Sequence, residues 1–473
     1  MLKSLFLNPP SFNGFDGAAG SRYQCTREVK SFWYPTWLAQ LSALVEGSRL
    51  IDAPARGISL DEVLPLANEY EFLVLYTSTP SFSNDVKIAE AFKKKNPNLI
   101  IGFCGAHVAV NPDQTVIASD AIDFVAGNEF DFTIKEIAEG KPLEEVDGII
   151  YKKDGKPVHN KARALIEDMD TLPWVTPVYK NNLVTTDYYN GYMLHPYMSF
   201  YTGRGCKSHC TFCLWPQTIS GHNYRHKSVK NVIDELSYAR DNFPEIKEFF
   251  FDDDTLTDNI SYVEELAKEI GNLGITWSCN AKANVPYETL KIMKDNGLRL
   301  LLVGYESGNQ QILINIKKGI RTDIARQFTK DCHKLGIVIH GTFIVGLPGE
   351  TKETIEESIK YAQELNPQTI QVSLPAAYPG TFLYEQAVEN GWLIIDEELV
   401  GDDGVQHSVL NYPHLPSEDI FEAVDNFYKR FYFRPWKMAV LFFEMCRDWE
   451  IMKRRAREGA EFFKFLFGRE STA

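Results

Sequence analysis

GRGCKSHCTFCLW, Gly203 to Trp215, places three cysteines in one loop at the spacing Cys206-x3-Cys210-x2-Cys213. The loop follows MSFYTG, a short apolar run from Met198 that reads as a strand. Four chemistries are compatible with such a trio. Structural zinc asks for four ligands, and the nearby candidates for the fourth are His209 and His222. A disulfide leaves one thiol over and needs an oxidising compartment. Three incidental core cysteines would be a rare coincidence within eight positions. A [4Fe–4S] cluster on three thiolates leaves one iron open to a small molecule. Gly203 and Gly205 would let the backbone wrap such a cluster closely.

Downstream, the strand-like runs KEFFFDD, ITWSCNA, LRLLLVGYE, GIVIHGTFIVG and TIQVSLP alternate with helical patterns such as VKNVIDELSYARDNF and TIEESIKYAQEL. With MSFYTG they make a series of βα units over residues 196–395, the pattern of a barrel or partial barrel with its chemistry at the strand C-termini. Upstream, LKSLFLN, EFLVLYT, LIIGFCG and AIDFVAG are short apolar runs, with the helical stretch DVKIAEAFKKKNP among them. They predict a helix-wrapped parallel sheet over residues 1–145. Ligands of such sheets lie beyond the strand carboxyl ends, here the loops starting at Thr77, Gly105 and Gly127. Residues 146–195 hold Pro157, Pro173, Pro177, Asn181 and Asn182 and few periodic segments, and read as a connector.

A chain of 473 residues, 44% hydrophobic and 24% charged, predicts a soluble protein of two or three domains. The net charge of −15 argues against a general nucleic-acid binder. No apolar run approaches the ~18 residues of a membrane span. The opening MLKSLFLNPP is too short in its apolar part for a signal peptide, so it is expected to be a first strand. Apart from the trio, Cys25, Cys104, Cys279, Cys332 and Cys446 show no pairing pattern and read as buried thiols in a reducing cytoplasm. Residues 396–473 are expected to be a helical extension, basic and aromatic from Lys429 onward. That tail is either a lid packed on the barrel or a surface for anionic headgroups.

The cysteine spacing, with Phe212 just before the third cysteine and a first barrel strand before the loop, resembles the radical S-adenosylmethionine (SAM) enzymes. The resemblance covers roughly residues 195 to 385. It implies a [4Fe–4S] cluster on Cys206, Cys210 and Cys213, SAM on the open iron, and reductive cleavage to a 5′-deoxyadenosyl radical. It also implies an electron donor such as flavodoxin or ferredoxin, and Phe212 beside the bound SAM. Asp252, Asp253 and Asp254 would accept from the methionine ammonium, with a helix N-cap as the alternative role. Lys282, where the family usually has Arg, would meet the carboxylate without a bidentate fork. Glu306 would meet the ribose hydroxyls, or else be a solvated surface carboxylate. Gly341-x2-Ile344-x-Gly346-Leu-Pro-Gly-Glu350 would run along the adenine, its glycines permitting the approach.

LNPP, YPTWLAQL (Tyr34 to Leu41), GAHV and GNE resemble the cobalamin-binding domain that precedes the barrel in one large subgroup. That implies cobalamin near Thr77, Gly105, His107 and Gly127, or a domain that keeps the fold alone. No Asp-x-His-x-x-Gly occurs, so no histidine tail-ligand is expected. The implied fold class is α/β: a Rossmann-like cobalamin-binding domain, a partial (β/α)6 TIM-like radical SAM barrel and a C-terminal helical extension. NPPSFNGFDGAAGSRYQ, SFWYPTWLAQ, LIDAPARG and GRGCKSHCTFCLWPQT further resemble the hopanoid-biosynthesis members linked to cyclitol ether formation. Those imply a hopanoid lipid substrate, a bacteriohopanetetrol whose glucosamine head group contracts to an aminocyclitol. A cytoplasmic enzyme peripheral at the inner membrane face would follow. A cobalamin-dependent C-methyltransferase is the alternative activity.

Overall fold

The computed structural model describes residues 1–12, 31–394 and 407–445, together with 452–453, 456–457 and 459–460. Cys25, Cys446, most of the segment NPPSFNGFDGAAGSRYQ, and Arg454, Arg455, Phe462 and Phe463 of the tail lie outside the described residues. Strands β1 (Ser4–Asn8), β2 (Arg49–Asp52), β3 (Phe72–Tyr76), β4 (Ile100–Cys104) and β5 (Phe124–Ala126) form a parallel sheet in the order β2-β1-β3-β4-β5. The strand order turns back between β1 and β3, the position at whose carboxyl ends open sheets of this kind take their ligands. Strands β6 (Ile149–Lys153) and β7 (Lys156–His159) extend this sheet as an antiparallel hairpin. Residues 149–159, expected in a connector, therefore belong to the sheet. The signal was Asp154-Gly155, both at positive φ (51° and 72°), the two-residue turn that suits tight hairpins.

Alternation along these strands builds two cores. Leu5, Leu7, Leu73, Leu75, Ile101 and Phe103 face helices on one side of the sheet. Phe6, Phe72, Val74, Tyr76 and Cys104 face the other side, in a core continuous with that of the second sheet. The second sheet holds six parallel strands, β8 (Tyr197–Phe200), β11 (Glu248–Phe251), β12 (Trp277–Ala281), β13 (Leu298–Glu306), β14 (Val338–Ile344) and β15 (Thr369–Ser373), adjacent in chain order. The short β9 (Gly203–Arg204) and β10 (Arg225–His226) pair separately beside the cysteine loop. β8 and β15 are the two edges, so the series of βα units makes a sheet that does not close.

The helices follow their sequence period. Ala325, Phe328, Thr329 and Cys332 bury one face of Thr322–Leu335, which ends at Gly336 in the left-handed conformation. The helix Ser417–Tyr432 closes the β15 side, with Ile420, Val424, Phe427 and Phe431 buried. The hydroxyls of Tyr428 and Tyr432 accept from the backbone N–H of Val372 and Ile370 at 2.8 and 2.9 Å. This part of the C-terminal region is thus a packed cover of the barrel. Trp436, just beyond it, is 75% exposed. Among the described residues no helix is long and apolar enough to cross a membrane.

Candidate active site

The cysteine loop leaves the end of β8 and is held from three sides. The Asp253 carboxylate accepts from Thr202 N (3.0 Å), Thr202 Oγ1 (2.8 Å) and the Tyr224 hydroxyl (3.1 Å). Burial pushes this carboxyl up to about 6, against those hydrogen bonds. Asp253 is therefore committed to joining β8 to β11, not to a ligand's ammonium. Its neighbours are placed differently: Asp252 is met by the Tyr201 hydroxyl and Asn280 Nδ2, each at 3.4 Å, and Asp254 accepts from Ser220 Oγ at 3.1 Å. None of the three caps the following helix, whose N-cap is Asn259. Gly203 and Gly205 answer a different need from the expected one. A Cβ on them would lie 2.4 and 2.1 Å from the carbonyl oxygens of Arg225 and Asn223, so they allow two backbone segments to touch.

Cys206 and Cys210 are buried and Cys213 half-buried, none of the three in a disulfide. Burial raises the Cys210 thiol; Lys318 acts most strongly against that, Glu306 and Cys206 reinforce it, and Lys282 opposes it. His209 and His222 stack on each other with centroids 4.1 Å apart, and His222 Nδ1 lies 2.9 Å from the Ser208 carbonyl oxygen. Among the described residues no three His, Cys, Asp or Glu side chains converge on one metal ion. Cys210 lies within electrostatic reach of Lys318 and Lys282, and three cysteines on one loop beside cations suit an anionic multi-iron cluster.

Lys282, at the end of β12, is paired with Asp258, whose other oxygen accepts from Lys207 N in the cysteine loop at 2.8 Å. Glu306 ends β13 at φ 62° and is only 5% exposed, which excludes the solvated reading. Its Oε1 accepts from Lys318 Nζ at 2.6 Å. Lys318 was not singled out from the sequence. Phe212 and Ile344 both pack against Ile312, Leu313, Ile316 and Leu347, so these two expected contacts share one apolar patch. Gly346 has another reason to be glycine than a ligand's approach. At φ 99°, its Cβ would sit 2.6 Å from Ile420 Cγ2 of the covering helix.

At the first sheet, the expected ligand loops are already partly committed. The Thr77 hydroxyl donates to Asp85 at 2.6 Å, and a Cβ on Gly105 would meet the Thr77 carbonyl oxygen at 2.5 Å. His107 stacks on Phe82, and burial lowers its imidazole to about 4, so it is neutral. A Cβ on Gly127 would meet nothing within 4 Å, so that glycine is not needed for space. Two residues on, Glu129 accepts from Arg225 at 2.8 and 2.9 Å and from Arg204 at 3.4 Å. Arg204 also holds Asp131 bidentately at 2.7 and 2.9 Å. This buried cluster of four charges ties the β5 end of the first sheet to the strands flanking the cysteine loop. Beside it Trp37 packs against Arg204 (4.4 Å), Tyr76, Phe130, Tyr201 and Trp215, an aromatic cluster between the two sheets.

Comparison with known proteins agrees with the fold. OxsB, solved as a cobalamin-dependent S-adenosylmethionine radical enzyme, has the same fold at a TM-score of 0.69 and 14% identity, over 97% of this chain and 72% of that one. The radical S-adenosylmethionine methyltransferase TsrM from Kitasatospora setae gives 0.65 and 15%, over 83% and 76%. In sequence, the uncharacterized methyltransferase PH0819 of Pyrococcus horikoshii is 31% identical over 415 residues, 85% of this chain and 88% of that protein. The profile of the radical SAM superfamily matches residues 200–362, from the end of β8 into the helix after β14. With that profile and a relative matched along most of both chains, the protein belongs to the radical SAM superfamily.

Proposed function

We propose that the protein is a cobalamin-dependent radical SAM enzyme of the methyltransferase type. Cys206, Cys210 and Cys213 would hold a [4Fe–4S] cluster, and SAM would lie among Phe212, Asp252, Asp254, Lys282, Glu306, Ile344 and Gly346. Cobalamin would sit at the carboxyl edge of the first sheet, by Thr77, Gly105, His107 and Gly127. The observation that carries this reading is the charge cluster of Arg204, Arg225, Glu129 and Asp131, which holds the cysteine loop against the ligand edge of the first sheet. When bound, the cluster supplies an electron to SAM and cobalamin supplies a methyl carrier. The chain's part is to orient and to exclude water. Asp253 and Asp258 fix the loop, and the buried aromatic cluster around Trp37 packs the first sheet against the cysteine loop. An external one-electron carrier, such as flavodoxin or ferredoxin, is required.

A second reading is contraction of the glucosamine head group of a hopanoid lipid. It rests on the resemblance of SFWYPTWLAQ and LIDAPARG; the first meets the barrel at β8, and the second meets the segment just before it. The Tyr34 hydroxyl donates to the Tyr197 carbonyl, and the Tyr188 hydroxyl to Asp52, both at 2.8 Å. Product mass separates the two readings, because methylation adds a CH2 and contraction with retention of carbon does not. The test is mass spectrometry of products from anaerobically reconstituted enzyme with SAM, cobalamin and a hopanoid glucosamine. A mass gain of one CH2 supports the methyltransferase, an unchanged carbon count supports contraction, and no cobalamin retained by the protein counts against the first reading.

A further inference from the structure

The described chain holds five non-glycine residues at positive φ, and two of them, Glu306 (62°) and Lys317 (53°), converge on one buried ion pair. The helix Gln310–Asn315 is followed by a Schellman turn, in which Lys318 N donates to the Leu313 carbonyl at 2.9 Å and Lys317 N to that of Ile314 at 3.0 Å. The left-handed position belongs to Lys317, where glycine is the usual residue. The turn carries the next side chain, Lys318, inward. On the facing strand, the pairing of β13 with β14 shifts between Gly304 and Glu306, and the Glu306 carboxylate also points in. A Cβ on Gly304 would lie 2.3 Å from Glu306 Oε1 and 2.7 Å from Lys318 Nζ, so this glycine leaves room for the pair. Thr211, between Cys210 and Cys213, donates its backbone N–H to the Ile316 carbonyl at 3.0 Å, fastening the cysteine loop to the same turn. The Lys318 side chain is 13% exposed, and its charge acts on both Cys210 and Cys213. Backbone held in a sparsely populated conformation, on both sides of one pair, persists where the surroundings enforce it.

We propose that Lys318 is a positioning residue for electron uptake. Its ammonium, held by Glu306 within electrostatic reach of Cys210 and Cys213, favours the reduced state of the iron–sulfur cluster. This rests on the cluster reading above. Reduction is the transfer of one electron from an external low-potential one-electron donor, with no bond made or broken. The added negative charge is stabilised by a nearby cation and opposed by a nearby carboxylate, so the two partners should act in opposite senses. Lys282, paired with Asp258, acts on Cys210 in the same sense but less strongly than Lys318.

The test is a mediator-buffered dithionite titration of the anaerobically reconstituted full chain, followed by EPR, after iron and sulfide analysis of each variant. Lys318→Met should lower the reduced-to-oxidised ratio at a fixed potential at least tenfold, which is 59 mV for a one-electron couple. Glu306→Gln should raise it, the double variant should return toward the parent, and Lys318→Arg should keep the parent's potential. A cluster-loaded Lys318→Met or Glu306→Gln at the parent's potential would overturn the proposal, as would shifts of the same sign in both. Absence of iron from the parent protein would instead remove the cluster reading itself. Glu306→Gln is near-isosteric and keeps the test decisive if Lys318→Met does not fold.

Discussion

Glu350 shows what burial does to a single carboxyl. It is 1% exposed, and its Oε2 accepts from the N–H of Gly346 at 2.6 Å and of Leu347 at 3.0 Å. Burial nonetheless pushes the carboxyl up to about 7 from its ordinary 4.5. The folded state therefore prefers the neutral acid. The stability this contributes is fully present below the ordinary value and is lost as pH rises through about 7. Glu350→Gln removes that titration while keeping the shape. Thermal unfolding of the two proteins from about pH 5 to about pH 8 should show the variant gaining on the parent by on the order of 3 kcal/mol in total. A difference that stays flat over that range contradicts the assignment. Lys318 marks the limit of sequence reading at this scale. KKGI after an apolar stretch looks like any solvated helix end, and only the turn at Lys317 brings the ammonium within electrostatic reach of the cysteines.

At the scale of elements, the strands were the most legible part. LRLLLVGYE is β13 to the residue, because a parallel strand covered on both faces reads as one continuous apolar run. β2 was missed: RLID is four residues long and sits on the sheet edge, where no pattern has room to form. The spacing of the three cysteines was equally plain, since it is local in the chain. What was illegible depends on partners far away in sequence, as at Gly346, which makes room for Ile420 of the covering helix. Gly346→Ala should accordingly destabilise the protein by about 1 to 3 kcal/mol, through contact with Ile420 and through strain at positive φ. Adding Ile420→Val should recover part of the loss, read as a thermal midpoint. A Gly346→Ala protein as stable as the parent would show that the helix Ser417–Tyr432 does not press on this turn.

Across the whole molecule, the two sheets are joined through charges withdrawn from water. Arg204 is 4% exposed, and Asp131 is fully buried. Removing one partner of such a group leaves an uncompensated buried charge, so Arg204→Met should cost about 3 to 5 kcal/mol in denaturant unfolding. A loss under about 1 kcal/mol would mean that the aromatic cluster around Trp37 holds the sheets together by itself. The central claim concerns the loop this arrangement supports. Its most direct test is iron and acid-labile sulfide analysis of anaerobically reconstituted protein, comparing the parent with the variant carrying Cys206→Ala, Cys210→Ala and Cys213→Ala. The account predicts about four irons and four sulfides per parent chain and none in the triple variant. A full cluster retained without the three cysteines would contradict it.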